Sequence, residues 1–160
     1  SENMLTELRQ EHALRFVILR FGTIFGMSPG MRFHTAVNKF CWEAAMGQPI
    51  SVWKTALDQK RPYLGLNDAI QSIRLMINKD IFSGEVFNVV SSNNTVREIV
   101  ELITESVPDV TVKFVDSLIM NQLSYEVLAH KFCALGFKPR DSLSTAIKET
   151  LNLFRGICQN

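Results

Sequence analysis

Short apolar runs alternate along the chain with stretches in which apolar residues recur every three or four positions. Residues 3–11 read as a helix with Met4, Leu5 and Leu8 on one face, and residues 15–25 as one strand, ended by Gly26 and the turn pair Pro29-Gly30. Residues 33–46 read as a helix, because Val37, Phe40, Cys41 and Ala44 fall at i, i+3, i+4 and i+7. Pro49 separates it from a short strand over 50–54. Asn67 or Asp68 then caps a helix whose apolar face is Ile70, Ile73 and Ile77. Residues 85–90 form a strand, and Thr95-Val96-Arg97-Glu98 is a capping box opening a helix with Val96, Ile99, Val100 and Ile103 as its buried stripe. Val110, Val112 and Phe114 alternate as a half-buried strand. A last helix starts near Ser142, with Leu143, Ala146, Ile147 and Leu151 on one face. No internal repeat or low-complexity segment interrupts the series.

Strands alternating with amphipathic helices predict an α/β domain with helices packed on parallel strands. The usual phosphate-cradling device of such domains, a glycine-rich loop between a first strand and a first helix, is not among these residues. The chain opens at Ser1 inside a helix without a cap, so the reading is of the back part of something longer.

Length and charge narrow the class. With 160 residues, 46% of them hydrophobic, the chain is one ordinary domain, burying roughly 70% of the surface its unfolded form exposes. A formal net charge of +1 leaves no basic excess to neutralise a nucleic-acid backbone. No apolar run approaches the ~20 residues of a membrane span, so neither nucleic acid nor membrane is an expected partner. Cys41, Cys133 and Cys158, odd in number and without ligand spacing, read as reduced thiols of a cytoplasmic protein, and no metal site is expected.

Most catalytic patterns fail. His12, His34 and His130 lack the spacing of a metal site or a nucleophile relay, no GxSxG or GxxxxGKS/T occurs, and neither Tyr63 nor Tyr125 is followed four residues later by lysine. What stands out are polar groups at strand and helix ends. Gly22 and Thr23 end a strand, where open α/β sheets bind ligands; the plainer account is a strand-ending turn with close packing. Arg61, beside Pro62 at the mouth of a helix, either forks two hydrogen bonds to a phosphate or belongs to a solvated basic patch. Trp53 either stacks on a nucleobase or joins the core.

Five segments in order carry a resemblance: Arg20-Phe21-Gly22-Thr23-Ile24-Phe25-Gly26, Ile50-Ser51-Val52-Trp53, Gln59-Lys60-Arg61-Pro62-Tyr63-Leu64, Gly84-Glu85-Val86-Phe87-Asn88-Val89 and Leu135-Gly136-Phe137-Lys138-Pro139. Their order resembles that of the extended short-chain dehydrogenases/reductases, the NAD-dependent nucleotide-sugar epimerases and dehydratases, over nearly the whole chain. The resemblance implies the last elements of a Rossmann-like parallel sheet plus the small mixed α/β substrate-binding domain. Residues 1–160 would be the C-terminal, substrate-binding portion of such an enzyme. In the family the NAD-binding glycines and a Tyr-x-x-x-Lys pair come earlier, which implies a place for both upstream of Ser1. No catalytic residue is therefore expected here, and the chain alone is expected to be inactive.

The family assigns roles by position. Gly22 and Thr23 fall at the turn beside the nicotinamide and sugar, and Asn38 in the helix that approaches the nucleotide. Trp53 falls where an aromatic residue packs on the base. Arg61 matches the diphosphate-binding arginine, and Tyr63 follows it in the "(F/Y)-(V/I)" pair. The expected ligands are NAD in the complete enzyme and a nucleoside-diphosphate sugar, with pairing into a homodimer as in many relatives. Against the family's "R-D-F-(V/I)-H-V-x-D", Pro62 replaces the acid, Gly65 the histidine and Asn67 the first acid of the pair, while Asp68 is kept. Lys54-Thr55-Ala56-Leu57-Asp58 is one residue longer than the usual "G-D-G" stretch. These departures imply a less familiar subfamily than the common galactose epimerase. The competing class is a non-catalytic nucleotide-binding or interaction module without the Rossmann half, distinguished by whether the encoded protein carries a GxxGxxG segment before these residues.

Overall fold

The computed structural model describes residues 2–116 and 124–158, with side chains through 156. Ser1, the residue at which the uncapped start was read, and the side chain of Cys158 lie outside the described residues. Among the described residues six helices and seven strands follow in the order α1 (Glu2–His12), β1 (Phe16–Phe21), β2 (Thr23–Phe25), α2 (Ala36–Ala45), β3 (Ile50–Trp53), β4 (Lys60–Gly65), α3 (Leu66–Asn78), β5 (Ser83–Val89), β6 (Ser92–Thr95), α4 (Val96–Ser106), β7 (Val112–Val115), α5 (His130–Cys133) and α6 (Leu143–Cys158). One 3₁₀ turn, Lys54–Ala56, joins β3 to the approach of β4.

Three small sheets form. β1 pairs with β5 in parallel, β2 with β4 in parallel, and β3 with β7 in parallel; β6 adds to β4 antiparallel. The alternation of strands and helices therefore gives the expected parallel α/β arrangement, through crossovers that bring distant strands side by side.

The strand expected over 15–25 is two strands in different sheets, and Gly22 is where it divides. The Gly22 amide donates to the Val89 carbonyl at 3.0 Å, closing the β1–β5 ladder. A Cβ there would lie 3.0 Å from the Pro62 carbonyl oxygen and 3.2 Å from Val90 Cγ1. Only a residue without a side chain lets β4 approach this closely as the chain passes into β2. The return chain also changes sheet here, since the Ser91 amide donates to the Tyr63 carbonyl at 2.8 Å as β5 gives way to β6.

Two cores hold the molecule. In one, α2, α4 and α6 bury Val37, Phe40, Cys41, Ile99, Ile103, Ile147 and Leu151 against Ile50, Val52, Phe25 and Tyr63. These are the stripes expected of α2, α4 and α6. The α4 capping box is also formed: the Glu98 amide donates to Thr95 Oγ1 at 3.2 Å and the Thr95 amide to Glu98 Oε2 at 3.0 Å. In the other core, α3 and α5 cover the face of β1–β5 that carries Val17, Leu19, Phe87 and Val89, with the Phe132 ring tilted against both Phe87 and Phe137.

Helix α3 departs from expectation twice. Neither Asn67 nor Asp68 is its cap: the helix begins at Leu66 with Gly65 as N-cap and no side-chain cap of its own. Asp141, 73 residues away, takes that role, its Oδ2 accepting from the Asp68 amide at 2.9 Å and its Oδ1 from Asn67 Nδ2 at 3.2 Å. A Cβ on Gly65 would collide with the Asp141 side chain, so the bare backbone admits this remote cap. The Ile70-Ile73-Ile77 face is outward, 46%, 45% and 60% exposed, while Ala69, Ser72 and Met76 face the core. The 3.6-residue period was correct, but α3 carries two apolar arcs, and packing chose the one with the smaller side chains.

Candidate functional site

Residues of β3, β4 and α2 line a cavity of about 320 Å³. β4 contributes Arg61 and Tyr63, which two-residue alternation places on one face of the strand. β3 contributes Ser51 and, at its last position, Trp53. Lys39 enters from α2, His34 from the loop before it and Gln59 from the turn before β4.

Arg61 and Trp53, eight positions apart in sequence, thus share one cavity. Trp53 is 45% exposed, leaving a ring surface open at the rim rather than consumed in the core. Two hydrogen bonds of the Arg61 guanidinium go to neutral acceptors, Nη1 donating to the Lys60 carbonyl and Nη2 to Gln59 Oε1, both at 2.8 Å. It also lies over the Tyr125 ring, 5.1 Å from the centroid. Among the described residues no carboxylate lines the cavity, whereas Arg61, Lys39 and His34 do. Lys39 is partly offset by Glu43 at 3.5 Å. The cavity therefore favours an anion.

Tyr63 is buried, and burial pushes its phenol up to about 12, with the Arg61 charge pulling weakly the other way. It stays protonated near neutrality, a hydroxyl for hydrogen bonding rather than a base. Burial likewise pushes the Cys41 thiol up to about 12, leaving it an unreactive core residue.

The remaining expected positions lie around this cavity rather than in its wall. Thr23 opens β2 directly opposite Tyr63 in the β2–β4 register, one strand removed from Arg61. Gly22 precedes it, packed on Pro62. Asn38 is buried within α2, its Nδ2 donating to the Arg32 carbonyl at 3.1 Å, and its Oδ1 has no partner among the described residues. The Tyr-x-x-x-Lys pair expected upstream of Ser1 has no position in this chain, and Ser1 itself lies outside the described residues. Sequence reasoning passed over Lys39, Gln59 and His34. Gln59 stands in the same motif segment as Arg61 but received no role, whereas nothing local marks Lys39 and His34, which become cavity residues only through the packing of α2 and the loop before it. A larger hollow of about 430 Å³ lies between α3 and the loop after α5, around Arg74, Lys138 and Arg140, away from all the expected positions.

Comparison with known proteins gives this arrangement a setting. The UDP-sulfoquinovose synthase of Spinacia oleracea is 37% identical over 76 residues, which are 46% of this chain and 16% of that protein. The UDP-glucose 4-epimerase of Thermus thermophilus, solved with NAD, superimposes with a TM-score of 0.81 at 22% identity, over 97% of this chain and 51% of that one. The UDP-glucose 4-epimerase of Thermotoga maritima, solved with UDP-glucose, gives 0.83 at 22% identity over 98% and 51%. The dTDP-glucose 4,6-dehydratase of Bacillus anthracis gives 0.82 at 18% identity over 96% and 49%. These structures establish a shared Rossmann-like α/β fold, and the chain spans about half the length of each and a smaller part of the plant enzyme. Residues 1–90, more than half of the sequence and including β1, the cavity strands and α3, match the NAD-dependent epimerase/dehydratase family, and the chain belongs to that family.

Proposed function

We propose that this chain is the nucleotide-sugar-binding, C-terminal portion of an NAD-dependent epimerase/dehydratase. The observation that carries the reading is the meeting of Arg61 and Trp53 on one cavity, which no carboxylate lines among the described residues. Relatives whose solved structures hold UDP-glucose or UDP-glucuronic acid share the fold and support a nucleoside-diphosphate sugar as the ligand.

In this role the planar fork of Arg61 donates charge-assisted hydrogen bonds to the diphosphate. Trp53 stacks on the base at the rim, and Lys39 adds positive charge on the α2 side. The protonated Tyr63 hydroxyl faces the bound ligand, and Gly22 and Thr23 border the sugar and the nicotinamide from the start of β2. Asn38 supports the helix from within. Binding energy gathered on the nucleotide, remote from the reacting sugar carbon, fixes that carbon in place.

NAD is the family's cofactor and supplies hydride removal and return when bound. The residues present fit only the border of its site. The close space beside Gly22 is filled by the Pro62 carbonyl, and no glycine-rich strand-to-helix turn for its phosphates occurs among the 160 residues. The tyrosine–lysine pair that moves the hydroxyl proton in this family has no counterpart here either, so no proton-transfer step is assigned to these residues. Cys41 and Cys133 are free thiols, in keeping with a cytoplasmic setting, and pairing of two copies belongs to the same reading.

Arg61→Ala tests it. Each charge-assisted bond contributes roughly 1.5–3 kcal/mol, so the alanine variant should bind UDP about tenfold to a hundredfold more weakly, with Arg61→Lys recovering part of the loss. Titration calorimetry with UDP reads both variants. Equal affinity in the alanine variant and the parent would make Arg61 a solvated surface charge and overturn the reading.

A further inference from the structure

The segment 124–128 crosses the edge of the β4–β6 pair as a strap, and its bonds converge on the residues beside Arg61. The Lys60 amide donates to Ser124 Oγ at 3.0 Å, and the Tyr125 amide donates to the Lys60 carbonyl at 3.3 Å. Lys60 Nζ pairs with Glu126. Asn93, on β6, grips the next residue from both sides: its Nδ2 donates to the Val127 carbonyl at 3.0 Å, and its Oδ1 accepts from the Val127 amide at 2.9 Å. One acceptor ties the strap to the guanidinium, because the Lys60 carbonyl receives both the Tyr125 amide and Arg61 Nη1. With the backbone so held, the Tyr125 ring lies 5.1 Å from Arg61 Cζ.

We propose that Tyr125 is a positioning residue of the nucleotide site, its ring holding one face of the Arg61 guanidinium so that the planar fork is set before the diphosphate arrives; this rests on the reading of Arg61 given above. Arg side chains carry large rotamer freedom, and a fork fixed in advance loses less of it on binding. Gln59 Oε1 and the Lys60 carbonyl each hold one nitrogen of the fork, while the Tyr125 ring lies against its Cζ atom and adds a contact that neither hydrogen bond supplies. Tyr125 is 51% exposed, so its replacement leaves no cavity in the core.

Four variants, Tyr125→Phe, Tyr125→Leu, Tyr125→Ala and Tyr125→Ala combined with Arg61→Ala, are titrated with UDP and separately with uridine. The alanine and leucine variants should weaken UDP by about three- to tenfold and leave uridine unchanged, while phenylalanine, which keeps the ring, should match the parent. In the Arg61→Ala background the Tyr125→Ala effect should vanish. Loss of UDP and uridine affinity in parallel, failure of phenylalanine to restore UDP binding, or an effect that persists without Arg61 would each overturn the positioning role. So would parental UDP affinity in the alanine variant. A parent that binds UDP, with Arg61→Ala impaired and Tyr125→Ala normal, removes this inference and leaves the diphosphate reading standing. A parent that does not bind UDP removes both.

Discussion

Tyr63 links the core to the cavity, and its burial has a consequence that can be measured in alkali. The phenol is held at about 12 against an ordinary value near 10, and the Cys41 thiol at about 12 against about 9. A group whose folded value is raised keeps its proton in the native state after the unfolded chain has lost it. Its contribution is therefore complete below the unfolded value and lost as the pH climbs toward the folded one. Native stability should fall between about pH 9 and 12, each proton contributing about 1.4 kcal/mol per pH unit at full slope. Tyr63→Phe should reduce the fall between pH 8 and 11 by about 1 kcal/mol, read from urea unfolding at the two values. An unchanged fall would show that the phenol ionises as freely in the folded protein as in the unfolded chain.

Helix α3 is where single elements depend on distant ones. Asp68, kept from the family pattern, is buried and accepts from the Arg140 amide at 2.9 Å, the Asp141 amide at 3.1 Å and the Ser91 hydroxyl at 2.6 Å. Ser91 Oγ in turn accepts from the Gly65 amide at 2.9 Å. One carboxylate thus joins the start of α3, the turn after β5 and the approach to α6. Asp68→Ala would strand these donors and should cost about 3 kcal/mol or more, while Asp141→Ala, which removes a cap, should cost about 1–2 kcal/mol. On the outer side Ile73→Gln should change stability by no more than about 0.5 kcal/mol, whereas Met76→Ala should cost about 2–5 kcal/mol. Chemical denaturation of the four variants orders them, and a large effect at Ile73 would mean that the outward face is covered in the folded chain.

At the scale of the molecule, one core gathers α2, α4 and α6 around the cavity strands, and the other seats α3 and α5 on the β1–β5 pair. The cavity that Arg61 and Trp53 line belongs to the first. No part of either core supplies a glycine-rich phosphate loop or a tyrosine–lysine pair, because neither pattern occurs in the sequence. Purified residues 1–160 should therefore neither retain NAD nor turn over a nucleoside-diphosphate sugar. Incubation with NAD and a panel of such sugars, followed by chromatography, checks this, and any turnover above a no-protein control would count against it. Among the described residues no helix is long and apolar enough to cross a membrane.

The residues alone determined what depends on short-range order. Period and capping gave α2, α4 and α6 with their buried faces, because a 3.6-residue stripe and a Thr95–Glu98 box act within one or two turns. The order of five weak segments gave the family and drew attention to Arg61, Trp53 and Tyr63. The division of residues 15–25 at Gly22, the choice between the two apolar arcs of α3 and its cap from Asp141 were decided elsewhere in the chain. Each rests on a contact between segments far apart in sequence, which local periodicity does not encode. The same holds for the site: a motif marked Arg61, but only tertiary packing brought Lys39 and His34 to the same cavity and laid the Tyr125 ring against the Arg61 guanidinium.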